Sequence, residues 1–235
     1  MWPRAGSPVS VATTLREAAA FAQVAIAPAP FAEGAARGGG RPVVVIPGFC
    51  SPDVSTARLR AFLKRQDFRV HSWGQGLNIG PTRQILIGLE RALEETASRY
   101  GEAPALIGQS LGGTIAREAA KRRPDLVSHV VTIVSPIRLP VPTTLAPLAQ
   151  TLALVWDREV RGNIARLAEP PPVKLTAIIA PRDGLVDWRS CVPDPAPNVE
   201  TVMVEGTHTT MGSNPAVQRI VAARLGVQKR MANGE

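Results

Sequence analysis

The sequence predicts an α/β domain, a mostly parallel β-sheet with helices on both faces. Three observations predict it. Runs of β-branched and other apolar residues recur without polar alternation, as strands buried on both faces require. The segments between them carry apolar residues at helical spacing. The two patterns alternate along most of the chain, which is the connectivity of parallel strands joined by crossover helices.

The elements follow in order. Residues 13–27 fit an amphipathic helix with Leu15, Ala18, Ala19, Ala22 and Ile26 on one face. A Pro-, Ala- and Gly-rich stretch to Gly40 follows, so residues 1–41 read as a helix and linker arm. Pro42–Ile46 is the first buried-type strand, ended by Pro47-Gly48-Phe49-Cys50. A helix fits residues 55–66 through Leu59, Phe62 and Leu63, then a strand fits 68–73 and a glycine-rich loop 74–81. Residues 82–99 form a helix with Ile85, Leu86, Leu89, Ala92 and Leu93 inward. A strand leads into Ser110, and helix 111–123 aligns Leu111, Ile115, Ala116, Ala119 and Ala120 before strand 127–134. The alternation breaks at Ser135-Pro136. Residues 136–172 are a proline-rich excursion with one helix-like stretch, whose Leu145, Leu148, Leu152, Val155 and Trp156 form a stripe. Inserted after a strand's carboxyl end, it reads as a small helical cap over a site. Strands 173–180 and 198–204 and helix 214–225 complete a domain of residues 42–227, and 228–235 are a polar tail.

Composition bounds the function. With 235 residues, 45% apolar and 20% charged, the chain suits one globular domain with a real core. No stretch approaches the roughly eighteen apolar residues of a membrane span. Arg16, Glu17 and Gln23 interrupt the N-terminal candidate for a signal-peptide core, so a cytoplasmic location is expected. The net charge is +8, but arginine supplies 23 of 27 basic residues and these are scattered, with no dense run beyond Lys121-Arg122-Arg123. Aromatics at 4% are too few for base-stacking platforms, which argues against nucleic acid. Peripheral contact with an anionic membrane stays open. Cys50 and Cys191 lack C-x-x-C spacing and read as free thiols, Cys50 as a buried small apolar side chain. Three histidines without a ligand cluster argue against a metal, and no cofactor is expected.

Chemistry concentrates beyond the strand ends, where open parallel sheets place their ligands. Gly108-Gln109-Ser110-Leu111-Gly112 reads G-x-S-x-G at a strand-to-helix turn. Glycines at the flanks let strand and helix approach, and the helix N-terminus directs free N–H groups at the serine. A serine at its free pKa is a poor nucleophile and needs a general base, oriented in turn by a carboxylate. Asp183 follows the next-to-last strand, with Asp187 four residues on as the alternative acid, and His208 follows the last strand. His71 and His129 fall in strand patterns and read as structural or surface residues.

These residues, in the order Ser, Asp, His, resemble the α/β-hydrolase superfamily, and within it small bacterial serine esterases and lipases, over residues from about 42 to 225. The resemblance implies Ser110 as nucleophile, His208 as general base and Asp183 as orienting acid, Asp183 being preferred because its distance from the strand end matches the family. It implies the backbone N–H groups of Phe49 and Leu111 as oxyanion donors. The chain departs from the family where Gln109 replaces a frequent histidine and where the oxyanion loop begins with Pro47. No counterpart of the usual antiparallel strands precedes residue 42, so a reduced sheet of about six strands is expected.

The expected activity is cleavage of a small-molecule carboxylic ester with an apolar group, through an acyl-enzyme on Ser110, falling below about pH 6–7 as the histidine protonates. Thioesterase and acyltransferase chemistry would use the same parts. A non-catalytic binding protein on the same scaffold is the competing class. Oligomeric state does not follow from the sequence.

Overall fold

Val43 and Val45 enter one hydrophobic core while Val44 and Ile46 enter another, so a single five-residue strand serves both faces of the sheet. That double burial is the reason the run carries no polar residue. The computed structural model describes residues 9–26, 30–138 and 143–227. The anticipated polar tail at 228–235, residues 1–8 and 27–29 of the arm, and residues 139–142 of the anticipated cap lie outside the described residues.

Six strands form one sheet: β1 (Pro42–Ile46), β2 (Arg69–Ser72), β3 (Ala105–Gln109), β4 (His129–Ile133), β5 (Lys174–Ile179) and β6 (Val199–Met203). Their order is β2-β1-β3-β4-β5-β6 and every pairing is parallel, with Ile46 opposite Gly108 and Gln109 opposite Ile133. The chain starts at β1, steps outward to β2, then crosses back to β3 on the other side. The crevice at the carboxyl ends of β1 and β3 is therefore the topological switch point, where such sheets bind ligands.

Helices cover both faces. The apolar sides of α2 (Ala57–Arg65) and α7 (Pro215–Leu225) fill the core that holds Val43 and Val45. Those of α3 (Arg83–Tyr100) and α4 (Leu111–Arg122) fill the core that holds Val44 and Ile46. The expected α/β class and the six-stranded sheet are what the structure has.

Three details differ from the sequence expectation. The helix anticipated from residue 55 begins as a 3-10 turn at Asp53–Thr56, and α2 proper starts at Ala57. The helix-like stretch stops short of Val155 and Trp156: α5 covers Ala146–Ala153, and a second short helix, α6 (Arg158–Gly162), follows beyond Trp156. Asp157 starts that second helix, because its Oδ1 accepts the N–H groups of Glu159 and Val160. The stripe splits accordingly: Trp156 turns inward and donates to the Ile79 carbonyl, while Leu148 and Val155 stay exposed. Finally, α1, which on the structure runs Val11–Ile26, does not bury its apolar stripe. Leu15 and Ile26 face outward, and among the described side chains of the helix the buried one is Glu17.

The insertion carrying α5 and α6 is fastened from below by Arg117 on α4. Its buried guanidinium donates through Nη2 to the carbonyls of Leu167, Ala168 and Glu169 at 2.9, 3.0 and 2.8 Å. Burial lowers its pKa to about 10, which leaves it charged at neutral pH.

Candidate active site

Ser110 stands at the end of β3 with φ 52° and ψ −127°, a backbone conformation that non-glycine residues rarely adopt. Neighbouring hydrogen bonds impose it. Ser110 N–H donates to the Ile133 carbonyl on β4 at 2.8 Å, and Gly113 N–H donates to the Ser110 carbonyl at 2.9 Å. Strain of this kind costs about 1–3 kcal/mol and persists only where the surroundings over-determine it. The elbow glycines have a steric reason. A Cβ on Gly108 would collide with the backbone of Gly112 and Gly113, and one on Gly112 with the carbonyls of Ile46 and Pro47. Ser135 packs into the same crossing, against the space a Gly113 side chain would need.

The loops after β5 and β6 bring the acid and the histidine together. Asp183 Oδ2 lies 2.6 Å from His208 Nδ1, and both residues are buried. Asp183 Oδ1 accepts the N–H groups of Leu185 and Val186 at 2.8 and 2.9 Å, which fixes the carboxylate plane. Burial pulls the His208 pKa down, but the Asp183 charge, its hydrogen bond and the charge of Glu17 prevail, so the ring titrates above the ordinary histidine value. Ser110 Oγ makes no hydrogen bond to any described residue, His208 included. The two side chains line one cavity of about 160 Å³.

Phe49 and Leu111 flank Ser110 on a second, apolar cavity of about 100 Å³. Among the described residues no carbonyl accepts from the N–H of either. The loop bearing Phe49 is held by Asn78, which is fully buried. Asn78 donates from its side chain to the Pro47 carbonyl at 2.7 Å, and its backbone exchanges hydrogen bonds with Cys50 N–H and the Ser51 carbonyl. The apolar cavity ends against Trp156 and Leu167 of the insertion, with Leu145 at its rim. Gly80 is required there, since a side chain on it would occupy the position of the Trp156 indole.

Residues that the sequence did not single out complete the surroundings. Glu17 on α1 reaches both loops, accepting N–H groups from Gly184, His208 and Thr209 at 2.8, 2.9 and 3.0 Å. Gln109, within the elbow itself, donates from Nε2 to the His208 carbonyl at 3.2 Å. No local sequence signal marks Glu17 or Asn78 as site residues. Each was a polar residue in an ordinary helix or loop until the fold placed it.

The rivals lie elsewhere. Asp187 caps the 3-10 turn Trp188–Cys191 and pairs with Arg189 at 3.0 Å, away from His208. His129 Nε2 lies 3.0 Å from Thr176 Oγ1, and His71 packs at a tilt against Tyr100 with ring centroids 5.5 Å apart. Cys50, expected to be buried, is exposed, because its positive φ of 50° turns the chain away from the core just after β1. Partial burial raises its thiol pKa, the opposite of activation. Cys191 is the buried one, and both are free thiols. Among the described residues no cluster of three or more His, Cys, Asp or Glu is arranged to hold a metal, and no helix is long and apolar enough to cross a membrane.

No protein-family model and no curated protein matches the sequence. Solved structures do match the fold. Aspergillus fumigatus lipase B superimposes with a TM-score of 0.62 at 18% identity over 83% of this chain, which spans only 55% of that lipase. A metagenome-derived lipolytic enzyme gives 0.61 at 16% identity, covering 83% of this chain and 99% of its own. Paleococcus ferrophilus monoacylglycerol lipase gives 0.57 at 17% identity, covering 81% of this chain and 95% of its own.

Proposed function

We propose that this chain, which has the α/β-hydrolase fold, is a serine hydrolase of carboxylic esters whose acyl group is apolar. The observation that carries the reading is the buried 2.6 Å contact of Asp183 with His208, on a cavity shared with a strained Ser110 whose Oγ has no partner among the described residues. Each structural oddity of the site then has a chemical use.

The ester carbonyl carbon sits over Ser110 Oγ. His208 Nε2 takes the hydroxyl proton as the Oγ–carbon bond forms, and Asp183 holds Nδ1–H so that the ring presents its other nitrogen. The carbonyl oxygen becomes an oxyanion between the N–H groups of Phe49 and Leu111, each such donor lowering the barrier by roughly 3–4 kcal/mol. His208 returns the proton to the alkoxide, the carbon–oxygen bond breaks and the alcohol leaves. Water then repeats both proton transfers on the acyl-enzyme and releases the acid. The apolar cavity bounded by Trp156 and Leu167 suits the acyl chain, and the more polar cavity by His208 and Thr209 suits the alcohol.

The test is labelling with a fluorophosphonate probe, alongside turnover of a short p-nitrophenyl ester. The parent is expected to label at one site and Ser110→Ala not at all. A parent that neither labels nor hydrolyses would assign the fold a binding role instead, and equal labelling of the variant would move the nucleophile elsewhere.

A further inference from the structure

We propose that Glu17, on the N-terminal helix, is a positioning residue of the hydrolytic centre, fastening the acid loop and the histidine loop to one carboxylate. The inference rests on the reading of Ser110, His208 and Asp183 given above and extends the site to a segment outside the α/β core.

The geometry is a bridge. Glu17 Oε1 accepts from Gly184 N–H, the residue after the acid, and from His208 N–H itself, while Oε2 accepts from Thr209 N–H. The Thr209 hydroxyl lies 3.0 Å from Oε2 and from the Glu17 carbonyl, and Thr13 Oγ1 lies 2.9 Å from the Gly184 carbonyl one helical turn before Glu17. Two loops that hang from different strands are thus set against each other at the point where Asp183 and His208 must stay 2.6 Å apart. Gly184 accommodates the bridge, because a side chain there would meet the Glu17 side chain and the Thr13 carbonyl.

The choice of residue argues the same way. Glu17 is only 1% exposed, and no Lys or Arg perturbs it. A buried carboxylate without a cation is costly to keep, and an apolar contact would dock a helix at less expense. Burial raises its pKa, yet the N–H groups of Thr209, His208 and Gly184 outweigh that and hold it below the usual carboxylate value, so it is an anion at neutral pH. Among the described side chains of the same helix the large apolar ones are exposed, Leu15 by 66%, Phe21 by 55% and Ile26 by 85%, and so contribute little to docking. The polar contact of Glu17 attaches helix α1 to the loop that bears the reacting histidine.

The negative charge has a second consequence. Asp183, from the loop after β5, and Glu17, from α1, are the two charged groups that act on the His208 ring. The other charges on these loops are paired away from the ring, Arg182 with Glu205, Asp187 with Arg189 and Asp194 with Arg138. Glu17 therefore helps to stabilise the imidazolium that forms when Ser110 gives up its proton.

The test uses the full chain with Glu17→Gln and Glu17→Asp, circular dichroism to check folding, kcat and KM on a p-nitrophenyl ester across pH, and NMR titration of the His208 ring without substrate, assigned by its loss in His208→Gln. For Glu17→Gln, kcat should fall by about 10²-fold, the cost of misplacing a reacting group by an ångström, with KM changed far less. The His208 titration and the acid limb of the rate should both move to lower pH, which a purely structural anchor would not cause. Glu17→Asp keeps the charge but shortens the reach, so it should lose rate while His208 titrates near its parental pH. Should the Gln variant fail to fold, the Asp variant decides alone: parental kcat with it overturns the proposal. A folded Gln variant with parental kcat and an unshifted His208 overturns it as well. If the parent itself hydrolyses no ester, the hydrolytic reading fails, and the His208 titration still reports whether Glu17 acts on the ring.

Discussion

Asp183 meets His208 with one oxygen and its own loop with the other. Oδ2 lies 2.6 Å from Nδ1, while Oδ1 accepts two backbone N–H groups at 2.8 and 2.9 Å. The carboxylate is therefore immobilised before it orients the ring, which is the condition for holding one imidazole tautomer in place.

From this relationship the two aspartates of the loop separate cleanly. Asp183→Asn replaces the acceptor facing Nδ1 with an amide and should lower kcat on a p-nitrophenyl ester by about 10³–10⁴-fold. Asp187→Asn only weakens the cap of the 3-10 turn Trp188–Cys191 and a partly exposed pair with Arg189, and should keep kcat within about threefold, since such pairs are worth at most about 1 kcal/mol. A near-parental rate for Asp183→Asn would remove it from the mechanism.

The pH dependence follows from the sign of the histidine shift. In the proposed mechanism His208 must be neutral to accept the Ser110 proton, and its pKa lies above the ordinary histidine value. The acid limb of kcat/KM should therefore have its midpoint above about pH 6.5, the reference for an unperturbed ring. A midpoint below that value would mean that Asp183 and Glu17 do not outweigh burial.

Chain-length preference tests the apolar cavity. Each acyl methylene that enters it should raise kcat/KM by up to about fourfold, the equivalent of 0.8 kcal/mol per buried CH₂. A series of p-nitrophenyl esters from acetate to hexanoate should show the rise, and Leu145→Ala at the rim should flatten it. A series that falls from acetate onward would place the acyl group elsewhere.

His129 predicts a loss of stability in acid that is independent of catalysis. Burial, together with Lys174 and Arg224, lowers its pKa to about 4, and Glu200 opposes this only in part. A folded-state pKa below the unfolded value gives stability that is present above the unfolded pKa and lost as pH falls towards the folded one. Denaturant unfolding should thus weaken between about pH 6.5 and 4 by on the order of 2–3 kcal/mol from this residue. His129→Asn should remove that part of the pH dependence. An unchanged slope in the variant would assign the loss to other groups.

Much of the fold is legible along the chain. Runs such as Pro42–Ile46 state their double burial in every residue, and the apolar faces of Leu59-Phe62-Leu63 and Leu86-Leu89-Leu93 are the ones the cores receive. The stretch that misled was 145–156, where the apolar spacing continues to Trp156 although the helix ends at Ala153 and a new one is capped by Asp157. The site is legible where chemistry is written in contiguous residues. The elbow Gly108-Gln109-Ser110-Leu111-Gly112 is a local motif because its glycines answer a local collision.

What the sequence by itself determined was therefore the set of strands and helices, the elbow and the candidates that follow strand ends, since these depend on neighbours a few residues away. Which aspartate reaches His208, how Asn78 holds the Phe49 loop and why Glu17 is buried depended on the tertiary structure alone. Glu17 lies 191 residues from His208 along the chain. A hydrogen bond across that separation leaves no periodicity or motif, because its partners are backbone N–H groups that every sequence possesses. Helix α1 looked like an arm with an apolar face. The fold turned that face to solvent and gave the polar one a carboxylate's place beside the histidine.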